Sequence, residues 1–186
     1  MAKSKLTIIS IAVLRILTLL TCKAAIVLTI LANNFTLQDG QQINFSNIRG
    51  YWYVLAAAGV GVLYSMYQLP FALYHAVKGK RLIKGQLLPI LDFYGDKVIA
   101  FILASGVGVG FGVSIELKNL TDESIENSAD ESIDRKLAIE LFKEFRDNMD
   151  KFYNGGIIAS GILLAGFTTM AILTILSSAK RTGRSF

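Results

Sequence analysis

The chain has 186 residues, 53% of them hydrophobic, a formal net charge of +5 and a mean hydropathy of +0.49. Its charges are gathered into blocks between long apolar runs, which excludes an ordinary soluble domain with amphipathic faces and points to a membrane protein. The excess cations flank those runs, so the basic balance is no nucleic-acid signal. The single cysteine, Cys22, allows no internal disulfide, and no His/Cys cluster is spelled out that could hold zinc.

The first apolar run, Leu6 to Ala32, follows "MAKSK" and is too long for a cleaved secretory leader; Arg15 also interrupts it, so it reads as a true span. It exceeds the ~20 residues that a ~30 Å hydrocarbon layer requires. At ~100° per residue, Arg15 shares a face with Ile11, Thr18, Cys22, Ala25 and Thr29, while Val13, Leu17, Leu20 and Leu31 lie opposite. The small and polar stripe belongs inside a bundle. Lys23 sits at the edge of that stripe, where its long stem can snorkel toward the outer surface.

A polar loop follows, in which Asn34 (N-F-T) and Asn44 (N-F-S) head N-glycosylation triplets. The second span, Tyr51 to Val77, holds only His75 near its end. Its opening Tyr51, Trp52 and Tyr53 are the aromatics of an interfacial belt. The loop "HAVKGKRLIKG" is strongly basic. The third run covers Leu87 to Ile115, with the span itself taken over 90–115, and places Asp92 and Asp96 on one face with Leu103, Gly110 and Ser114. Counting along the helix puts Asp96 ~7 Å and Arg15 ~9 Å inside the same membrane boundary, with Asp92 near the headgroups.

Farther along the third span, Gly106/Gly110 and Gly108/Gly112 form two overlapping small-xxx-small spacings on adjacent faces, which predict close helix packing within or between chains. Without a strand-turn-helix context they are no phosphate loop. The segment 116–154 then carries eleven acids against six bases and a third acceptor triplet at Asn119. Its first half, "KNLTDESIENSADESID", is acidic without periodicity and reads as mobile. Its second half places Leu137, Leu141, Phe145, Met149 and Phe152 at spacings of three and four, an amphipathic outer helix over about 134–152. The fourth span, Gly155 to Ala179, contains no charge.

The expected fold is thus an all-α membrane protein, a single four-span bundle (6–32, 51–77, 90–115 and 155–179) with a short amphipathic outer helix. Lys3, Lys5, the basic loop and the tail "KRTGRSF" all fall on one side, so the positive-inside rule puts both termini in the cytosol. The first and third spans then run parallel, and Arg15 can meet Asp96. Facing each other, the two charges offset much of the ~2.5 to 3.5 kcal/mol that each costs alone at a helix centre. Such a pair can lock the fold, or it can serve as a gate or proton-linked site. No nucleophile/base pair, cofactor signature or metal set is visible, which argues against an enzyme.

Three stretches, "LRILTLL", "YSMYQLPFALYHAV" and "FYGDKVIAFILASG", resemble the plant Casparian strip membrane domain proteins, within their broader CASP-like group. The resemblance covers essentially all four spans. The family's arginine of the first span and aspartate of the third fall on Arg15 and Asp96. It implies a plasma-membrane protein with cytosolic termini that forms homomers and heteromers. It also implies a non-catalytic scaffold whose platforms recruit extracellular wall-modifying enzymes; the rival reading, drawn from the intramembrane charges themselves, is a small transporter or channel using the Arg/Asp pair. The first outer loop departs from the short Phe-rich signature of the strip-forming members, so tissue role does not carry over.

Overall fold

Four long helices carry the chain: α1 (Ala2–Ala32), α2 (Arg49–Lys78), α3 (Leu87–Asp130) and α4 (Arg135–Thr182). The computed structural model describes residues 2–32, 34–36, 42–78, 87–130 and 135–182, with side chains described over 8–31, 46–74, 76–78, 93–127, 143 and 145–178. Each helix holds a segment long and apolar enough to cross a membrane: Ile8–Leu31, Arg49–Lys78, Phe93–Asn127 and Phe145–Ser178. The protein is an all-α membrane protein.

Local sequence explains where the helices run. α1 contains neither Gly nor Pro. Pro89 lies in the first turn of α3, where a missing N–H has no helical partner to lose. Pro70 lies inside α2 and frees the carbonyl of Met66, an interruption that membrane helices accommodate through neighbouring groups. α2 begins at a tight turn, the Tyr51 amide donating to the Ile48 carbonyl at 3.1 Å. Just before it, β1 (Asn34–Thr36) pairs antiparallel with β2 (Gln42–Asn44), in the register Asn34 to Asn44, Phe35 to Ile43 and Thr36 to Gln42, and a 3-10 turn (Phe45–Asn47) follows.

The helices pack in a ring in which α1 and α3 each lie against α2 and α4, so α1 and α3 face each other diagonally. Cys22, Ala25, Val54, Ala58, Leu103, Val107, Leu163, Met170 and Leu173 fill the centre. Outward positions are large and apolar, as lipid requires: Leu31 is 70% exposed, Leu63 71% and Phe101 76%. A second core of Tyr51, Phe152 and Tyr153, with Ile48, Val113, Leu117 and Met149 around it, closes the bundle at the end that carries the hairpin.

Two sequence expectations need correction. The segment after Ile115 is not a mobile loop: α3 continues as helix to Asp130. Nor is 134–152 a separate short helix, because α4 runs unbroken from Arg135 through the fourth span. At ~1.5 Å per residue α3 is about 66 Å long, twice the ~30 Å hydrocarbon thickness, so the α3–α4 pair projects well past the membrane. No Gly or Pro stands between Gly112 and Asp130 to stop the helix. Partners on α4 then hold it: Arg146 Nη2 lies 3.0 Å from Asp122 Oδ1, Lys118 Nζ lies 3.5 Å from Asp150 Oδ1, and Thr121 hydrogen-bonds the Tyr153 hydroxyl. The amphipathic positions Met149 and Phe152 pack with Leu117 and Val113 of α3, with Phe152 only 1% exposed, and Phe145 is half-buried. Those at Leu137 and Leu141 lie outside the described side chains.

Candidate functional site

The inward stripe of α1 is buried along its length: Arg15 is 3% exposed, and Thr18, Cys22, Ala25 and Thr29 are 1% or less. From the diagonal helix, Asp96 faces it and is completely buried. Arg15 Nη2 lies 3.3 Å from Asp96 Oδ2 and 3.3 Å from Oδ1, one nitrogen shared by both carboxylate oxygens.

The other two helices complete the arrangement. From α2, the Tyr64 hydroxyl donates to Asp96 Oδ1 at 2.7 Å, and Gln68 Nε2 donates to the Tyr64 hydroxyl at 3.2 Å. The Arg15 guanidinium also sits 5.9 Å from the centre of the Tyr64 ring, within cation–π range. From α4, Ser177 Oγ donates to Asp96 Oδ2 at 3.4 Å. The approach of Tyr64 depends on a residue without a side chain, since a Cβ on Gly95 would stand 2.6 Å from the Tyr64 oxygen. One carboxylate thereby gathers a donor from each of the other three helices. A buried ion pair is worth keeping only when further hydrogen bonds satisfy its remaining polar groups, and the two carboxylate oxygens of Asp96 meet that condition here.

Away from this cluster, buried hydroxyls are engaged locally. Thr18, Thr29, Ser114 and Ser160 donate to the carbonyls of Leu14, Ala25, Gly110 and Gly156 on their own helices, and Thr169 to that of Gly166. Three of them also join helices: Thr18 Oγ1 and Thr169 Oγ1 are 2.7 Å apart, and the Tyr51 hydroxyl is 2.9 Å from Ser114 Oγ.

The glycine spacings divide between two faces. A Cβ on Gly106 would lie 2.8 Å from Ala57 Cβ and 3.3 Å from Leu163, and one on Gly110 would collide with Ser160; both glycines are packing points inside this chain. Gly108 and Gly112 are exposed, with nothing within 4 Å of such a Cβ. Tyr51, assigned from sequence to an interfacial belt, is instead 1% exposed in the second core; Trp52 and Tyr53 are 55% and 45% exposed. Lys23 is exposed on the flank of α1. Asn119 is exposed on α3, while Asn34 and Asn44 oppose each other across the β1–β2 pair. The side chains of Asp92 and His75 lie outside the described residues.

Tyr64, Gln68, Gly95 and Ser177 were not singled out from the sequence. A signal was present, since Tyr64 and Gln68 stand four apart on one face of an apolar span.

A sequence model of the Casparian strip membrane protein domain matches residues 3–130. The chain belongs to that family. The match takes in α1, α2 and α3, and with them Arg15, Tyr64, Gln68 and Asp96. CASP-like protein 4D1 of Ricinus communis is 30% identical over 169 residues, covering 89% of this chain and 87% of its own. CASP-like protein 4D1 of Arabidopsis thaliana is 33% identical over 155 residues, covering 82% and 76%. CASP-like protein 4D2 of Arabidopsis lyrata is 33% identical over 137 residues, covering 74% and 68%. These relatives are plant proteins, and this chain is a CASP-like membrane protein of plant type. No solved structure matches it.

Proposed function

We propose that this CASP-like protein is a non-catalytic scaffold of the plasma membrane that associates with copies of itself and with related family members into lateral platforms. Both termini face the cytosol in this reading, as the distribution of Lys and Arg suggests. The hairpin and the projecting α3–α4 pair then face the cell wall, available to wall-modifying enzymes, with Asn34, Asn44 and Asn119 as glycan acceptors. Arg15 and Asp96 hold the helix arrangement, and Gly108 and Gly112 offer a face for a neighbouring helix.

The observation that carries the reading is the enclosure of the charge pair. Asp96 is fully buried and receives donors from three other helices, while the buried hydroxyls beyond it donate to their own backbones. A transport pathway needs a chain of polar groups with capacity to spare, reaching from one side to the other. In plant cells, the tagged protein is expected to recover slowly after photobleaching and to crosslink as oligomers. Free diffusion as a monomer, or a solute flux in liposomes that Asp96→Asn abolishes, would overturn the scaffold.

A further inference from the structure

Lys23 is an intramembrane charge that the four-helix cluster does not use; Lys97, another such lysine in a described span, lies over the Phe93 ring at 3.9 Å. Lys23 stands 8 residues before Leu31, the end of the apolar segment of α1, so its Cα is ~12 Å from that end and ~22 Å from Ile8. The side chain is exposed, and no ion pair among the described residues includes it. Snorkelling to the nearer boundary is hindered by geometry. Helix Cα–Cβ bonds tilt toward the N-terminus, which for α1 is the farther boundary.

The surface around Lys23 is ordered as a seam. Ile9, Val13, Ile16, Leu20, Lys23, Val27 and Ile30 alternate spacings of four and three along the outer face of α1, and the six apolar members are each between 37% and 57% exposed. That repeat of 3.5 residues is the pattern along which a second helix packs in a left-handed crossing. The lysine is at the fifth of seven positions, within the zone such a helix would cover.

A second copy of this chain cannot supply the counter-charge. Cys22 lies level with Gly61 and Leu103, because a Cβ on Gly61 would be 3.0 Å from each of their side chains. The carboxylates of the third helix are then out of register: Asp96 lies seven residues, ~10 Å, to one side of Leu103, and Glu116 thirteen residues, ~20 Å, to the other. α1 and α2 contain no acid, and neither does the fourth span between Gly155 and Ala179. Copies sharing one membrane share these depths.

We propose that the α1 seam is the docking face for a transmembrane helix of a different protein, one that carries an Asp or Glu at the depth of Lys23. Charge complementarity selects the partner, and the apolar seam aligns it. The proposal is independent of the platform reading, since lateral association through other faces does not require Lys23.

The test uses the full chain in neutral phosphatidylcholine vesicles, labelled at its C-terminus, with a synthetic Leu/Ala transmembrane helix bearing one Asp a turn from its middle. Energy transfer is expected to report association about tenfold tighter than for the same peptide with Asn. Lys23→Leu should abolish the difference and Lys23→Arg should retain it. Lys23→Asp should reverse the preference, favouring a peptide with Lys over one with Asp, a gain that damaged folding cannot produce. Equal binding of the Asp and Asn peptides, or failure of the reversal, overturns the proposal. So does Lys23-dependent retention of phosphatidylserine with no peptide preference, or a Lys23-dependent dimer without peptide.

Discussion

Arg15 and Asp96 are separated by 81 residues in sequence yet share one nitrogen-to-carboxylate contact in a fully enclosed site. Removing either partner leaves the other as an uncompensated buried charge, a loss of about 3 to 5 kcal/mol. Arg15→Leu and Asp96→Leu should each lower the unfolding midpoint in detergent strongly, and the double variant should recover most of the loss. Independent, additive losses would show that the two charges do not act as a pair. Tyr64→Phe isolates one donor: it leaves the ring over Arg15 and removes the hydrogen bond to Asp96, for a loss of about 1.5 to 3 kcal/mol. Thermal unfolding measures it, and an unchanged midpoint would contradict the assigned bond. Charges are rare in hydrocarbon, so Arg15 and Asp96 stand out in a bare sequence. Tyr64 and Ser177 do not, because a tyrosine or serine in a span is common and only the neighbouring helix gives it a partner.

Among the elements, α3 shows how similar residues acquire opposite roles. Gly106 and Gly110 touch α2 and α4, whereas Gly108 and Gly112 look outward. Alanine at the first two forces side chains apart and should cost about 1 to 3 kcal/mol. At the second two it meets open space and should stabilise the monomer by roughly 0.5 to 1 kcal/mol through the lower flexibility of the unfolded chain. Unfolding of the four single variants gives the sign directly. The extension of α3 was illegible for a related reason. Its acidic composition hides a thin stripe, Val113, Leu117, Thr121 and Ile125, spaced by four, whose meaning depends on α4 lying alongside. Amides from 116 to 126 are therefore expected to resist hydrogen exchange. Phe152→Ala, which removes the ring packed edge-on against Tyr51 and Tyr153, should expose them at a cost of about 3 to 5 kcal/mol. High salt should change little, because the bridges from Lys118 and Arg146 are exposed at the surface and contribute at most about 1 kcal/mol each.

For the whole molecule, four apolar runs of sufficient length made the membrane fold readable, since hydrocarbon thickness leaves the backbone few alternatives. The three quoted stretches made the family readable as well. The ring order of the helices was not encoded in any local pattern, and neither was the continuation of two spans into one projecting pair. Both arise from contacts between residues far apart in the chain. The diagonal placement of α1 and α3 also has a consequence in time. A ribosome adding ~5 to 20 residues per second needs about 4 to 16 s to cover the 81 residues between Arg15 and Asp96. Through that interval a finished first helix waits with its guanidinium unanswered, and the emergence of the third helix is the event that makes the first one at home in lipid.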